Sequence, residues 1–217
     1  MKKLWLILAL TGILVTSYAF SAMASCIYLG GYGDGKYYND IQHRESNLAT
    51  NYVVGGEYNI GKFKIAGEYL KGNAPHGDIG KKSIDFDSCE LKGGYRVLDN
   101  DNWKLDLTLG YYRENIDNNT DTRVHGILVG TDVEYIFCDQ FTLSGSENVS
   151  VNGRFNDDAI SGKDAEILNA KIQGNFYFCE KCAAFLGYRY ASARINWGGN
   201  HPYLTNYGLT FGVTHHF

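Results

Sequence analysis

The clearest strand signal in the chain lies in residues 103–112, WKLDLTLGYY. Leu and aromatic side chains alternate there with Lys, Asp, Thr and Gly, so successive side chains would point to opposite faces of an extended strand. The same alternation recurs in residues 52–60, 127–137 and 168–178. A period of two residues does not fit amphipathic helices, and it predicts strands that have one apolar and one more polar face.

The composition agrees with a chain made of strands. The 217 residues include 26 Gly, 17 Tyr and 11 Phe but only 2 Pro, with a mean hydropathy of −0.28. This combination of Gly and Tyr is unusual for a soluble globular domain. Because 20 Lys and Arg stand against 24 Asp and Glu, with no basic block, we expect no binding to nucleic acid.

The first 24 residues have the three parts of a secretory signal peptide. Lys2 and Lys3 precede an apolar stretch at residues 4–15, and the small residues of 22–24, AMA, form a cleavage site. The apolar stretch is shorter than the roughly 20 residues of a transmembrane helix. We therefore predict a signal peptide at 1–24 and one exported domain at 25–217.

A lipoprotein signal is the alternative reading of the same region. Residues 23–26, MASC, loosely resemble the bacterial lipobox, whose Cys is acylated, so lipidation of Cys26 stays open.

The spacing of the strands predicts an antiparallel up-and-down β-barrel. Short links fall near residues 61–62, 99–102, 138–140 and 179–182, and longer polar loops around 34–49, 72–82, 115–122, 153–163 and 195–204. Short turns at one rim and long loops at the other are typical of transmembrane barrels. We predict ten strands, with eight as the alternative, at 26–33, 50–60, 63–71, 83–98, 103–114, 123–137, 141–152, 164–178, 183–194 and 205–217.

A soluble β-sandwich would also alternate apolar and polar residues, but the last strand favours the membrane. Residues 209–217, LTFGVTHHF, resemble the C-terminal assembly signal of bacterial outer-membrane proteins. Leu209, Phe211, Val213 and Phe217 match it, and His215 stands where an aromatic or apolar residue is usual. The chain thus resembles the small outer-membrane β-barrels, including the OmpA-like, OmpX-like and opacity-type proteins. The resemblance implies outer-membrane lipid and the barrel-assembly machinery as partners.

If the apolar face contacts lipid, the other face brings charges into the lumen. We expect six acidic and six basic side chains there: Glu57, Lys64, Glu68, Glu90, Lys92, Arg96, Lys104, Asp106, Asp132, Glu134, Lys171 and Arg189. Charges confined in a narrow barrel are tolerated when they are paired or hydrated. The set is therefore either an ion-pair network that plugs the lumen or the lining of a narrow pore.

An enzyme would need catalytic groups in a suitable constellation, and we predict none. Ten strands would match the omptin proteases, which use acid pairs and a His-Asp pair near the outer rim, but this chain is far shorter. His76 lies near Asp78, and His43 near Ser46, but neither these nor His201 form a recognisable hydrolase motif. We therefore expect no catalytic site and no cofactor.

The cysteines point to structure rather than to metal or redox chemistry. Cys179 and Cys182 have the spacing of a zinc or redox motif but lack a second pair, so we predict a candidate disulfide that staples their turn in an oxidising periplasm. Adjacent strand residues point to opposite faces, so His215 and His216 cannot chelate one ion together. No metal site is expected.

These observations predict a monomeric barrel with a structural or surface-interaction role through its outer loops, whose ligand stays unknown. Tyr37, Tyr38, Trp197 and Tyr203 lie in the predicted loops and suit recognition. A narrow passive pore for small solutes is the alternative, and an outer-leaflet protease or lipid-modifying enzyme a minor one.

Deletion of Phe217 should impair assembly, because the terminal aromatic of the signal that it resembles is recognised during insertion. We expect a lower amount of folded barrel, measured by heat-modifiable gel migration of outer-membrane fractions. Normal amounts of folded protein in the deletion strain would contradict the assignment of the assembly signal.

Overall fold

The computed structural model describes residues 25–40, 44–47, 50–74, 84–117, 121–157, 160–197 and 199–217. They form twelve strands: β1 (Ser25–Asn39), β2 (Arg44–Asn47), β3 (Thr50–Ile60), β4 (Phe63–Ala74), β5 (Ile84–Asp99), β6 (Trp103–Asp117), β7 (Asp121–Cys138), β8 (Phe141–Ser150), β9 (Gly153–Asp157), β10 (Ile160–Cys179), β11 (Cys182–Ile195) and β12 (Tyr203–His216). No helix capable of spanning a membrane occurs in these residues. The predicted signal peptide, His43, His76 and Asp78 lie outside the described residues.

The strands close into an antiparallel ring. β12 pairs with both β11 and β1, and β10 pairs with both β8 and β11, so every wall strand has a neighbour on each side. Ten strands form the wall, since β2 pairs only with the end of β1 and β9 continues β8 between β7 and β10. The all-β barrel and its ten strands are therefore confirmed.

Glycines close the seam between the first and last strands. Gly30 of β1 lies opposite Gly212 of β12. A Cβ at Gly30 would collide with the backbone oxygen of Phe211 and would lie 2.8 Å from the ring of Phe185. The lack of side chains at this pair leaves room for the ring of Phe185 against the seam.

The outer surface of the turn half carries a continuous apolar belt. Outward side chains such as Leu109 and Phe211 are 60% and 51% exposed, respectively. Aromatic contacts mark the two borders of the belt: Phe63–Tyr95, Trp103–Tyr135 and Phe137–Phe141 near the turns, and Tyr52–Tyr69, Tyr111–His125 and Tyr188–Tyr207 on the other side. Trp103 and Tyr111 are about 26 Å apart along β6, or about 20 Å along a barrel axis tilted by about 40° to the strand. This height fits a membrane-spanning surface.

The polarity of the two faces inverts beyond the belt. On β6 the outward positions change from Leu107, Leu109 and Tyr111 to Arg113 and Asn115. The inward positions are Tyr112, Glu114 and Ile116, of which only Glu114 is charged, and it is hydrogen-bonded to Tyr112 and Asn206. The strands therefore continue out of the membrane. The loops expected at 34–49, 115–122 and 153–163 were too long, because 34–39, 44–47, 115–117, 121–122, 153–157 and 160–163 are in strands. Beyond the belt the apolar residues change from the outward to the inward face, so the alternation that marks each strand in the sequence is interrupted before the strand ends.

The inverted region encloses a hydrophobic core inside the loop half, which we call the apolar plug. It consists of Tyr32, Tyr37, Val53, Leu70, Phe86, Tyr112, Ile116, Val124, Leu128, Phe155, Ala165, Ile167, Ala193, Ile195 and Leu204. Tyr37 stacks on Phe86 with ring centroids 6.2 Å apart. Tyr37 is thus a core residue, and its expected role as an exposed recognition residue is wrong.

Truncation of the plug should destabilise the barrel far more than truncation of the belt. Phe86→Ala removes a fully buried ring and should cost about 3 to 5 kcal/mol of unfolding free energy. Leu109→Ala is the matched control, because its side chain faces outward into lipid and leaves no internal cavity. Urea unfolding in lipid vesicles measures both variants. Equal losses would contradict a packed core inside the loop half.

Candidate functional site

A polar cavity occupies the turn half of the barrel, beneath the apolar plug. Its volume is about 320 Å³, and side chains from strands around the ring line it. All twelve charged residues that the sequence analysis assigned to the lumen lie on its wall. Tyr28, Tyr177 and His216 complete the lining together with a group of neutral polar residues.

One wall of the cavity, formed by β4 to β7, carries alternating opposite charges. Lys64 Nζ lies 2.8 Å from Asp106 and 2.5 Å from Asp132. Asp132 also pairs with Lys92 at 2.7 Å, and Asp106 with Arg96 at 2.9 Å. Each of these two carboxylates is shared by two cations, so the five side chains form one network rather than separate pairs.

A second cluster crosses the interior at the centre of the barrel. Glu68 of β4 pairs through Oε1 with Arg189 of β11, and its Oε2 lies 3.2 Å from Lys171 of β10. Tyr28 of β1 donates a 2.6 Å hydrogen bond to the same Oε2, and its ring lies 5.3 Å from the Lys171 ammonium. Arg189 is only 5% exposed. The cluster connects strands that are not neighbours in the sheet, so it braces the ring from within.

The charges become more exposed toward the turn rim. Lys104 and Glu134 form a 2.8 Å pair in which each side chain is about one third exposed. Glu57 accepts a hydrogen bond from Asn59 and has no cation within 4 Å among the described residues. The charged groups are therefore more exposed to solvent at the turn rim than near Arg189.

Apart from Lys171, the wall formed by β8 and β10 carries neutral polar side chains, and these were not among the residues predicted for the lumen. Ser144, Ser146, Asn148, Asn169, Gln173 and Asn175 line it. Asn148 accepts a hydrogen bond from Thr108, and Asn169 donates one to Glu90. The signal was present, because Asn169 and Gln173 stand two residues on either side of Lys171 and so share its face. Amide side chains, unlike charged ones, are common on any solvent-facing strand, so their residue type alone does not mark the lumen.

The net charge of the cavity wall and the arrangement of its possible metal ligands indicate what the cavity can bind. Six acids and six bases leave the wall without net charge, and most of these groups are held by fixed partners. In the part of the chain that the structure describes, no three His, Cys, Asp or Glu side chains are arranged to hold a metal ion. The geometry suits bracing of the interior.

The cysteines lie mainly at the turn rim and on the outside. Cys179 faces Cys182 across the turn between β10 and β11, and both thiols are free. Cys182 Sγ lies 3.8 Å from His215 Nδ1. Cys26 lines the cavity, whereas Cys89 and Cys138 are exposed. The Cys179–Cys182 disulfide stays a prediction.

The residues of the expected assembly signal lie on β12 and just after it. Leu209, Phe211 and Val213 point outward into the belt, and the ring of Phe217 packs edge-on against His215 at 5.1 Å. Their role in assembly stays a prediction. His201 lies at the loop end, with Nδ1 2.9 Å from Asn196 Oδ1.

Comparison with known proteins identifies the fold. No family model and no curated protein matches this chain. Among solved structures, the outer membrane protease OmpT of Escherichia coli is similar at 12% identity and a TM-score of 0.57, covering 90% of this chain and 96% of OmpT. The COG4313 outer membrane channel of Pseudomonas putida F1 has 13% identity and a TM-score of 0.47, covering 90% and 94%. Neisserial surface protein A has 10% identity and a TM-score of 0.44, covering 90% and 97%.

Identities this low show the fold alone, and only the OmpT score is high enough to carry that conclusion. The apolar belt supplies the independent physical reason, because a surface of this kind is stable only against hydrocarbon. The chain has the fold of an outer-membrane β-barrel, and its outer surface carries an apolar belt suited to lipid.

Proposed function

We propose that this protein is a closed outer-membrane barrel with a structural or surface-interaction role, and that it is neither an open pore nor an enzyme. The apolar plug carries the proposal. Leu70, Val124 and Ile195 are wholly buried inside the loop half. Ions cross a barrel only through a hydrated path, and a packed core leaves no room for one.

The central ion-pair cluster supports a second barrier below the plug. Arg189 and Glu68 meet across the interior, and Lys171 and Tyr28 hold the remaining oxygen of Glu68. A solute that passed would have to separate these groups in a dry environment, where an unpaired charge is strongly unfavourable.

The loop end is the surface through which the barrel would act. The strands project beyond the belt, and large side chains such as Trp197 and Tyr203 stay exposed there, at 37% and 42%. Aromatic residues supply contact area at low entropic cost, which makes them frequent in recognition surfaces.

A narrow passive pore is the second candidate, and the polar cavity favours it. The cavity is hydrated at the turn rim, where Lys104 and Glu134 are partly exposed. Conduction would require the plug to open.

The purified barrel should show no stable ion-conducting openings in planar bilayers, because the plug closes its loop half. Folding is verified independently by heat-modifiable migration of the same sample. Reproducible single-channel openings of the parent protein would reject the closed barrel in favour of the pore.

Arg189→Ala should separate a dry interior from a water-filled one. Glu68 would keep Lys171 and Tyr28 but lose the cation on its Oε1. If the centre is dry, this loss should lower the unfolding free energy by about 3 to 5 kcal/mol. Lys104→Ala at the hydrated rim is the matched control and should cost about 0 to 1 kcal/mol. Urea unfolding in lipid vesicles measures both. A near-neutral Arg189→Ala would mean that water fills the centre of the barrel.

A further inference from the structure

A group of basic side chains lies on the outer wall, directly above the apolar belt. Arg113 of β6, His125 of β7 and Arg154 of β9 are successive cross-strand partners in one row around the barrel. Arg123 stands two residues before His125 on the same outward face of β7. We call Arg113, Arg123, His125 and Arg154 the basic cluster.

Asn115 holds two arginines of the cluster side by side. The Nε atoms of Arg113 and Arg123 donate to the same Oδ1 of Asn115, at 3.0 and 3.1 Å. The amide is fixed in turn, because its Nδ2 donates to Asp87 at 3.0 Å. Two guanidinium groups of like charge are thus gathered on one neutral oxygen.

Neither arginine forms an ion pair with a described residue, and the neighbouring carboxylate of Asp87 is bonded to Asn115 instead. Within the described residues no carboxylate lies within 4 Å of either guanidinium, whereas Arg154 pairs with Asp164 at 2.5 Å. Arg194, on the same loop half, pairs with Glu166 and lies over the ring of Tyr203. Gathering two like charges is unfavourable unless an anion joins them, and the remaining guanidinium N–H groups are free to bind one.

The height of the basic cluster indicates where that anion comes from. The ring of His125 lies 6.4 Å from Tyr111, which marks the upper border of the belt. One step of two residues separates Arg113 from Tyr111, or about 5 Å along the barrel axis. Lipid headgroups occupy this depth, directly above the acyl chains that would cover Leu109 and Val129.

We propose that the basic cluster binds the phosphate group of an anionic lipid in the membrane leaflet at the loop end. Arg113 and Arg123 contact the phosphate oxygens, and Asn115 positions them. His125 lies in the row between Arg113 and Arg154, with its ring beside Tyr111 at the border of the belt. The acyl chains of the lipid lie against the belt below, and a soluble phosphate ion lacks these apolar contacts.

Lipid titration of the folded barrel in detergent tests this. Phosphatidic acid is the probe and phosphatidylcholine its comparison lipid, with retention measured by native mass spectrometry. Arg113→Ala and Arg123→Ala should each weaken phosphatidic acid binding about five-fold. Arg194→Ala is the matched control, because it removes an outward arginine from outside the cluster, and it should leave binding unchanged.

Asn115→Asp gives a sharper variant, because it keeps the side-chain shape and adds a negative charge beside both arginines; it also replaces the hydrogen bond to Asp87 by a contact between two carboxylates. It should abolish the preference for phosphatidic acid, and heat-modifiable migration checks that the barrel is folded. Unchanged binding in Asn115→Asp, or an equal loss in Arg194→Ala, would overturn the site. Competition by inorganic phosphate at the same concentration as phosphatidic acid would overturn the assignment to a lipid.

Discussion

The pairing of β12 with β1 is the interaction on which the rest of the structure depends. An open sheet exposes two edges of unpaired N–H and C=O groups, and hydrocarbon offers these groups no partners. Closure through the Gly30–Gly212 pair removes both edges. It also encloses a narrow interior, so each inward side chain must be packed against, or bonded to, a neighbour from across the ring.

The wall and the charged lining could be read from the sequence because both follow one local rule. Alternation fixes which side of a strand each residue occupies. Once Leu107 and Leu109 are taken to face lipid, Asp106 is predicted to face the interior. The plug could not be read in this way. On β6, Ile116 is apolar and inward while Arg113 is polar and outward, which reverses the rule within a single strand, and Phe86 of β5 is likewise apolar and inward. Where the reversal falls depends on where the membrane ends.

Contacts between strands lie beyond any single-strand pattern. Asn115 joins Arg113 to Arg123 only because β6 and β7 pair in one register, and Arg154 joins the row only because β9 replaces β8 beside β7 after Ser150. The Glu68–Arg189 pair bridges 121 positions of sequence. Alternation assigns these residues a face, but their partners follow from the closed ring.

Each long strand therefore passes through two environments, with hydrocarbon around its turn half and water around its loop half. In the turn half, hydrocarbon outside requires apolar outward residues, and the interior is left to ion pairs and amides. In the loop half, water outside requires polar outward residues, and the interior becomes a hydrophobic core. The two halves meet near Tyr111 and Arg113, where apolar surface ends and charge begins. A lipid bound at this border would contact both kinds of surface. The same border therefore marks where the strands exchange their apolar and polar faces and where the basic cluster lies.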